Sequence, residues 1–224
     1  MMKFNPQWLQ AYLVGGTQDV GHDPTQFLKK VELAMAAGIT AFQYREKGTS
    51  RLNATKRFAI ARQLRTLTHQ YKIPLFIDDD EELALRVDAD GVHVGQRDQR
   101  IEQVIDRAGG RLMIGYSCNT SQQIAKANRL PAIDYIGTGP VFPTTSKADA
   151  DPALGLNQLC QLNHLSVHPV VAIGGITKDN LVATLQTGVA GVAVISMILK
   201  SDDLRTTVKK MRAAYNHRNC DYVN

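Results

Sequence analysis

The sequence predicts an α/β fold, a (β/α)8 TIM barrel in one domain over residues 1–224, and three observations carry that reading. Short β-rich runs alternate with amphipathic helical stretches along the whole chain, giving eight such pairs. The length of 224 residues matches the ~200 to 250 residues usual for this barrel. No linker-like stretch divides the chain into two units. Eight βα units favour a closed parallel barrel, although composition and period alone also admit an open doubly wound sheet.

The elements follow in order. A first strand is expected over Gln10 to Val14. Asp23-Pro24 opens a helix over Thr25 to Ala37, and Gly38 ends it. The second strand, Ala41 to Arg45, leads to a helix over Leu52 to Gln70. Here Ala54, Phe58, Ala61 and Leu64 share a face while Arg57, Arg62 and Arg65 fall largely off it. The strand Leu75 to Asp78 precedes a helix over Glu81 to Val87, and Gly91 to Val94 precedes Ile101 to Arg107, stopped by Gly109. Met113 to Tyr116 is paired with Ser121 to Asn128. After Tyr135 to Gly137, the run Gly137 to Pro152 is longer than the ~2 to 6 residues of an ordinary βα connection, which marks it as a functional loop. A helix over Leu156 to Leu165 follows. Val170 to Ile173 leads through a start at Thr177 to Lys178 to Thr187, with a stop at Gly188. Val192 to Ile195 and the helix Asp203 to His217 complete the eight pairs.

Composition narrows the function classes. Hydrophobic residues at 44% with 21% charged residues fit a soluble globular protein. The net charge of +5 is dispersed, with Lys29-Lys30 and Lys209-Lys210 as the adjacent basic pairs within helical patterns. This argues for steering of anionic substrates rather than for nucleic acid. Cys118, Cys160 and Cys220 have no metal-ligand spacing, and no signal peptide is read, so a reducing cytoplasm is expected. No apolar run approaches the ~18 residues of a membrane span.

In a barrel of this kind the residues just after each strand form one rim, where the chemistry lies. Gln43-Tyr44-Arg45-Glu46-Lys47-Gly48 ends the second strand with two cations one residue apart. Alternate strand residues share a face, so Arg45 and Lys47 would extend together above Gln43, a geometry that suits a phosphate group. Taken alone, the tripeptide is also what a solvated strand end looks like. The other strand ends add Asp78, Asp79 and Asp80, then Gln96 and Asp98, then Ser117, then the run Gly139 to Lys147, then Gly174-Gly175, and finally Ser196. Carboxylates from two strand ends near such cations suit a hydrated Mg²⁺ that bridges to phosphates, since Mg²⁺ is usually held by one or two carboxylates. Asp79 and Asp98 fit that requirement. Asp is also favoured at helix starts, which covers Asp80 equally well. Gly174-Gly175 and the Ile195-Ser196 turn offer backbone N–H groups to a phosphate, or are simply tight turns. His93, between Val92 and Val94, faces the opposite way from both, toward the barrel interior, where a core histidine and a catalytic one are both open readings. Cys118 has no general base nearby in sequence and is read as a small packed side chain.

Four segments in order resemble the thiamine phosphate synthase family: Gln43 to Gly48, Asp88 to Gln96, Gly137 to Thr144 with Lys147, and Ala172 to Thr177. The resemblance runs from about Tyr12 to Ile198. It implies a Mg²⁺-dependent transferase of thiamine biosynthesis that joins hydroxymethylpyrimidine diphosphate to hydroxyethylthiazole phosphate. By position, it implies that Gln43, Arg45, Lys47, Asp78, Ser117 and Lys147 hold the diphosphate and that Asp79 and Asp98 hold Mg²⁺. Thr144 and Ser146 would contact the thiazole, and Gly175, Ile195 and Ser196 its phosphate. Arg45, Lys47, Ser117 and Lys147 would be catalytic. The expected partners are small phosphorylated molecules, not nucleic acid or membrane, with a homo-oligomer left open. The family pattern after the third strand reads Asn-Asp-Arg, whereas this chain has Asp78-Asp79-Asp80. A carboxylate at Asp78 adds negative charge beside an anionic ligand and donates no hydrogen bond unless protonated. The related thiazole tautomerase carries a His two residues after the matching Ser; here that residue is Asn119. A phosphate-ligand sensor of the same fold would not need the metal and diphosphate residues.

Overall fold

The structure, a computed structural model, describes residues 3–96, 100–146 and 151–217. Eight parallel strands form a closed barrel in chain order: β1 (Ala11–Gly15), β2 (Ala41–Tyr44), β3 (Leu75–Asp78), β4 (Gly91–Val94), β5 (Met113–Ser117), β6 (Tyr135–Thr138), β7 (Val170–Ile173) and β8 (Gly191–Val194). Closure comes from β8 pairing with β1, in register Ala11 to Val192 and Leu13 to Val194. The open-sheet alternative is thereby excluded. The helices are α1 (Pro24–Ala37), α2 (Ala54–Tyr71), α3 (Glu81–Arg86), α4 (Ile101–Ala108), α5 (Ser121–Ala127), α6 (Gly155–Leu165), α7 (Leu181–Leu185), α8 (Ser196–Leu199) and α9 (Leu204–His217). Among the described residues no helix is long and apolar enough to cross a membrane.

Local chemistry explains the helix limits. The Asp23 carboxylate accepts from the N–H groups of Thr25 and Gln26, Pro24 occupies the first turn, and Gly38 at φ 102° ends α1. Phe27, Val31, Ala34 and Met35 recur at helical spacing and are buried. Along α2 the buried set is Ile60, Ala61, Leu64 and Thr68. Ala54 is exposed and Phe58 half-buried, with the Arg86 guanidinium 4.6 Å above the Phe58 ring. The buried face therefore keeps Ala61 and Leu64 of the expected set, adds Ile60 and Thr68, and begins after the first turn of α2.

Two further expectations are corrected. Thr177 does not start α7, whose cap is Asn180. The Asn180 side chain accepts from the Thr177 N–H at 2.8 Å and donates to the Gly175 carbonyl at 3.0 Å, so Thr177 to Asn180 is spent on a turn. Gly188 lies beyond the cap residue Gln186. After β8 the chain leaves the strand at Ile195 (φ −112°, ψ −80°) and forms the short α8, which buries Ile198 and Leu199 ahead of α9.

Strand alternation builds two cores. Tyr12, Val14, Ala41, Phe76, Met113, Tyr135, Val171 and Ala193 fill the barrel interior, closed below by Leu9. The other face of each strand, including Leu13, Phe42, Ile77, Val92, Ile114 and Ile136, packs on the helices. Each such side chain contributes about 1.5–3 kcal/mol by leaving water, which fixes strand register and hence the height of every rim residue.

Candidate active site

The C-terminal rim gathers the ends of β2 and β3 into two ion pairs. Arg45 Nε lies 3.4 Å from Asp78 Oδ2, with both side chains largely buried, and Lys47 pairs with Asp79 through Nζ and Oδ2. The intervening Glu46 turns the other way. Its buried carboxylate accepts from the Thr17 N–H at 3.0 Å, the Thr17 hydroxyl and the Ser50 hydroxyl at 2.7 Å. Glu46 thus braces the β2–α2 loop against the β1–α1 loop and aims Arg45 and Lys47 at β3. The Arg45 backbone is held from both sides, its N–H donating to Gly15 O at 2.9 Å and its carbonyl accepting from Gln18 Nε2 at 2.7 Å. Asp79 takes a left-handed backbone at φ 58°, held by its N–H donating to the His93 carbonyl at 2.8 Å. Asp80 is the N-cap of α3, accepting from the Leu83 N–H at 2.9 Å, so it is the helix start that one sequence reading gave.

Beneath the rim a buried hydrogen-bond chain crosses the barrel. Gln43 Nε2 donates to the Tyr12 hydroxyl at 3.0 Å, and the Tyr12 and Tyr135 hydroxyls are 2.9 Å apart. The Tyr135 hydroxyl lies 3.0 Å from His93 Nδ1, and His93 Nε2 lies 2.9 Å from Ser117 Oγ. Burial gives this chain a direction, because an unpaired buried donor is costly. With Gln43 donating, Tyr12 donates to Tyr135, Tyr135 to Nδ1, and the Nε2–H of a neutral His93 to Ser117. The Ser117 hydroxyl proton is then left for a ligand. Burial raises the pKa of both tyrosines, which keeps them neutral donors. Room for the imidazole comes from Gly115, where a Cβ would stand 2.4 Å from Nδ1.

The third part of the rim joins the ends of β6, β7 and β8. The Val141 and Phe142 N–H groups donate to Ile173 O and Gly174 O at 3.0 Å each, laying the β6–α6 loop over the end of β7. At Gly175 (φ 67°) a Cβ would meet the carbonyl oxygens of Phe142 and Pro143 at 2.6 Å, so only glycine fits. Thr144 and Ser146 follow in this loop, with the Ser146 N–H donating to Thr144 Oγ1 at 3.2 Å. Ile195 caps α8 and Ser196 is its first residue. Asn119 accepts from the Gly139 N–H at 3.0 Å and donates to Asp151 Oδ2 at 3.4 Å, tying both ends of the loop to β5. Cys118 is buried, and burial pushes its thiol up to about 12, so it is inert.

The residues singled out in the sequence thus occupy one rim and the layer below it: Gln43, Arg45, Lys47, Asp78, Asp79 and Ser117 on one side, Thr144, Ser146, Gly175, Ile195 and Ser196 on the other. Asp98 and Lys147 lie outside the described residues. Sequence reasoning missed Glu46, Asn180, Tyr12 and Tyr135. The signal available for the tyrosines was a polar aromatic at an inward position of β1 and of β6.

A family model described as thiamine monophosphate synthase matches residues 11–198. The chain belongs to this family. It is 58% identical over 214 residues to the thiamine-phosphate synthase of Limosilactobacillus reuteri, covering 96% of this chain and all of that protein. The corresponding protein of Limosilactobacillus fermentum is 57% identical over the same length. Among solved structures, the family's thiamine phosphate pyrophosphorylase from Pyrococcus furiosus superposes with a TM-score of 0.84 at 34% identity, covering 96% of this chain and all of that one.

Proposed function

We propose that this chain is a thiamine-phosphate synthase, coupling 4-amino-2-methyl-5-hydroxymethylpyrimidine diphosphate with 4-methyl-5-(2-hydroxyethyl)thiazole phosphate to give thiamine phosphate and pyrophosphate. Family membership over nearly the whole chain supports the reaction, and one observation carries the site: the paired cations Arg45 and Lys47 stand beside Asp78 and Asp79 at the rim, above a chain of donors ending in Ser117.

The C–O bond to the diphosphate breaks first, helped by the electron-rich aminopyrimidine ring, and the bonding pair leaves with pyrophosphate. The thiazole nitrogen then attacks the exocyclic methylene of the resulting cation. No protein nucleophile is needed, which agrees with the inert Cys118. Arg45, Lys47, Lys147 and the Ser117 hydroxyl stabilise the departing charge, each worth on the order of 3 kcal/mol, or ~10² in rate. Gln43 completes the diphosphate side, and Asp78 stands beside it as the carboxylate partner of Arg45. Thr144 and Ser146 orient the thiazole, and the N–H groups at Gly175, Ile195 and Ser196 receive its phosphate.

The donor set suits Mg²⁺. Asp79 supplies hard carboxylate oxygens at the rim, with Oδ2 buried and, among the described residues, accepting no hydrogen bond beyond its Lys47 ion pair. Among the described residues no group of three or more His, Cys, Asp or Glu gathers around it. Asp79, with Asp98 as its partner, would hold the ion together with water and phosphate oxygens. When bound, Mg²⁺ supplies charge neutralisation on the leaving pyrophosphate. Lys47, paired with Asp79 in the structure, would then be available to a phosphate oxygen. The free thiols of Cys118 and Cys160 agree with a cytoplasmic setting, which is part of this reading.

A tautomerase would need an acid or base at Asn119, whose amide is committed to Gly139 and Asp151. Pyrophosphate release provides the test. It should require both substrates, and Lys147→Ala should lower kcat by ~10² while leaving the KM for thiazole phosphate within about twofold. Release from the diphosphate alone at the full rate, or none with both substrates, would overturn the coupling reading. Unchanged kcat in Lys147→Ala would remove that residue from the mechanism.

A further inference from the structure

The hydrogen-bond chain that ends at Ser117 is held from below by a segment outside the stretch that the family model matches, residues 11–198. Residues 4–9 cross the N-terminal mouth of the barrel, with Pro6–Leu9 as a 3-10 turn capped by Asn5. Thr40 latches this segment: its hydroxyl donates to Trp8 O and accepts from the Ala11 N–H, both at 2.8 Å. So held, the Phe4 ring lies parallel to Tyr135, 5.8 Å between centroids and 9° between planes, with Trp8 edge-on to Phe4 at 6.0 Å and 83°.

Four rings surround Tyr135. Phe76 meets it at 80°, Tyr12 at 66° and His93 at 34°, all three from barrel strands. Phe4 comes from outside the strands and covers a face of the ring. The Tyr135 hydroxyl must keep its bond to His93 Nδ1, 3.0 Å long in the structure, if the imidazole is to keep its proton on Nε2 and donate to Ser117 Oγ. Without Phe4 the Tyr135 ring gains room to tilt toward the vacated mouth, and the tautomer of His93 loses the bond that fixes it.

We infer that Phe4 is a positioning residue: stacked on Tyr135 from the closed end of the barrel, it holds the Tyr135–His93 bond that turns the Ser117 hydroxyl toward the diphosphate. This rests on the reading of Ser117 given above, so the test separates the two. His93 imidazole ¹⁵N shifts, assigned with His93→Gln, report the tautomer directly in the full-length protein without substrate, below the melting temperature. Phe4→Ala should mix the tautomers and lower kcat by roughly three- to tenfold, the scale of a loosened rather than a missing group, with the KM for thiazole phosphate unchanged. Phe4→Leu refills volume without a flat face and should recover melting temperature but neither tautomer nor rate. Phe4→Tyr keeps the face, its hydroxyl reaching solvent from this half-buried position, and should restore both. Parental His93 spectra and kcat in Phe4→Ala and Phe4→Leu, beside a kcat lowered by Ser117→Ala, would overturn the inference and leave the site reading standing. Unchanged kcat in Ser117→Ala would overturn the site reading itself, and with it the claim that Phe4 acts through Ser117.

Discussion

Replacing Asp78 with Asn removes one negative charge at the point where an anionic substrate must sit. In the structure that charge is balanced by Arg45, 3.4 Å away, with the two side chains 14% and 10% exposed. At an effective dielectric of about 20, the pair attracts by about 5 kcal/mol before desolvation, most of which desolvation cancels. Asn keeps the shape and an acceptor oxygen, so the net cost is that of a charged bond becoming a neutral one, ~1 to 1.5 kcal/mol. For a chain of this size this lowers Tm by about 2–6 °C. Substrate binding moves the other way. A carboxylate and a phosphoryl charge ~6 Å apart repel by ~3 kcal/mol at the same dielectric, of which roughly 1 to 1.5 kcal/mol survives at a solvated rim. Asp78→Asn should therefore lower the KM for pyrimidine diphosphate about five- to tenfold. Steady-state kinetics at saturating thiazole phosphate, with a thermal melt of the unliganded protein, measure both effects. A raised KM, together with a greater Mg²⁺ requirement, would show that the Asp78 carboxylate contributes to substrate or metal binding and that the charge argument is wrong.

Glu46→Gln should cost ~2 to 4 kcal/mol, since a buried carboxylate accepting from Thr17 and Ser50 becomes an amide with mismatched donors; a melt unchanged within 2 °C would contradict the brace. Gly175→Ala, at φ 67° with carbonyls 2.6 Å from the added carbon, should weaken thiazole phosphate binding at least ~10-fold in calorimetry; parental affinity would count against a phosphate site there. Because burial raises the Cys118 thiol from 9.0 to about 12, the fold favours its neutral form. That contribution is complete below pH 9 and declines as pH rises toward 12. Peptide mass spectrometry after iodoacetamide treatment at pH 8 should find Cys118 unmodified in folded protein, and rapid alkylation would disprove the burial.

Much of the barrel was legible because each βα unit carries its own periodicity and caps. Asp23-Pro24 with Gly38 bounds α1 through contacts local in sequence. The rim was legible for a related reason: a residue one step past a strand end sits on the rim wherever the rest of the chain goes. What escaped depends on contacts between distant residues. Tyr12 and Tyr135 are 123 positions apart and His93 is 42 from Tyr135, so their chain exists only once the barrel closes. Glu46 reads as one more charge in a charged loop until Thr17, 29 positions earlier, is seen to claim it. The start of α7 was misplaced because Thr177 is an ordinary N-cap residue, while the bonds of Asn180 to Thr177 and Gly175 commit that stretch to a turn.

Mass-spectrometric detection of thiamine phosphate from the purified chain and both substrates, in Mg²⁺ and then in EDTA, bears most directly on the proposed activity. Product with Mg²⁺, equimolar with pyrophosphate and abolished by EDTA or by Asp79→Ala, is the expected result. Folded protein that binds thiazole phosphate yet forms no product with Mg²⁺ would contradict it.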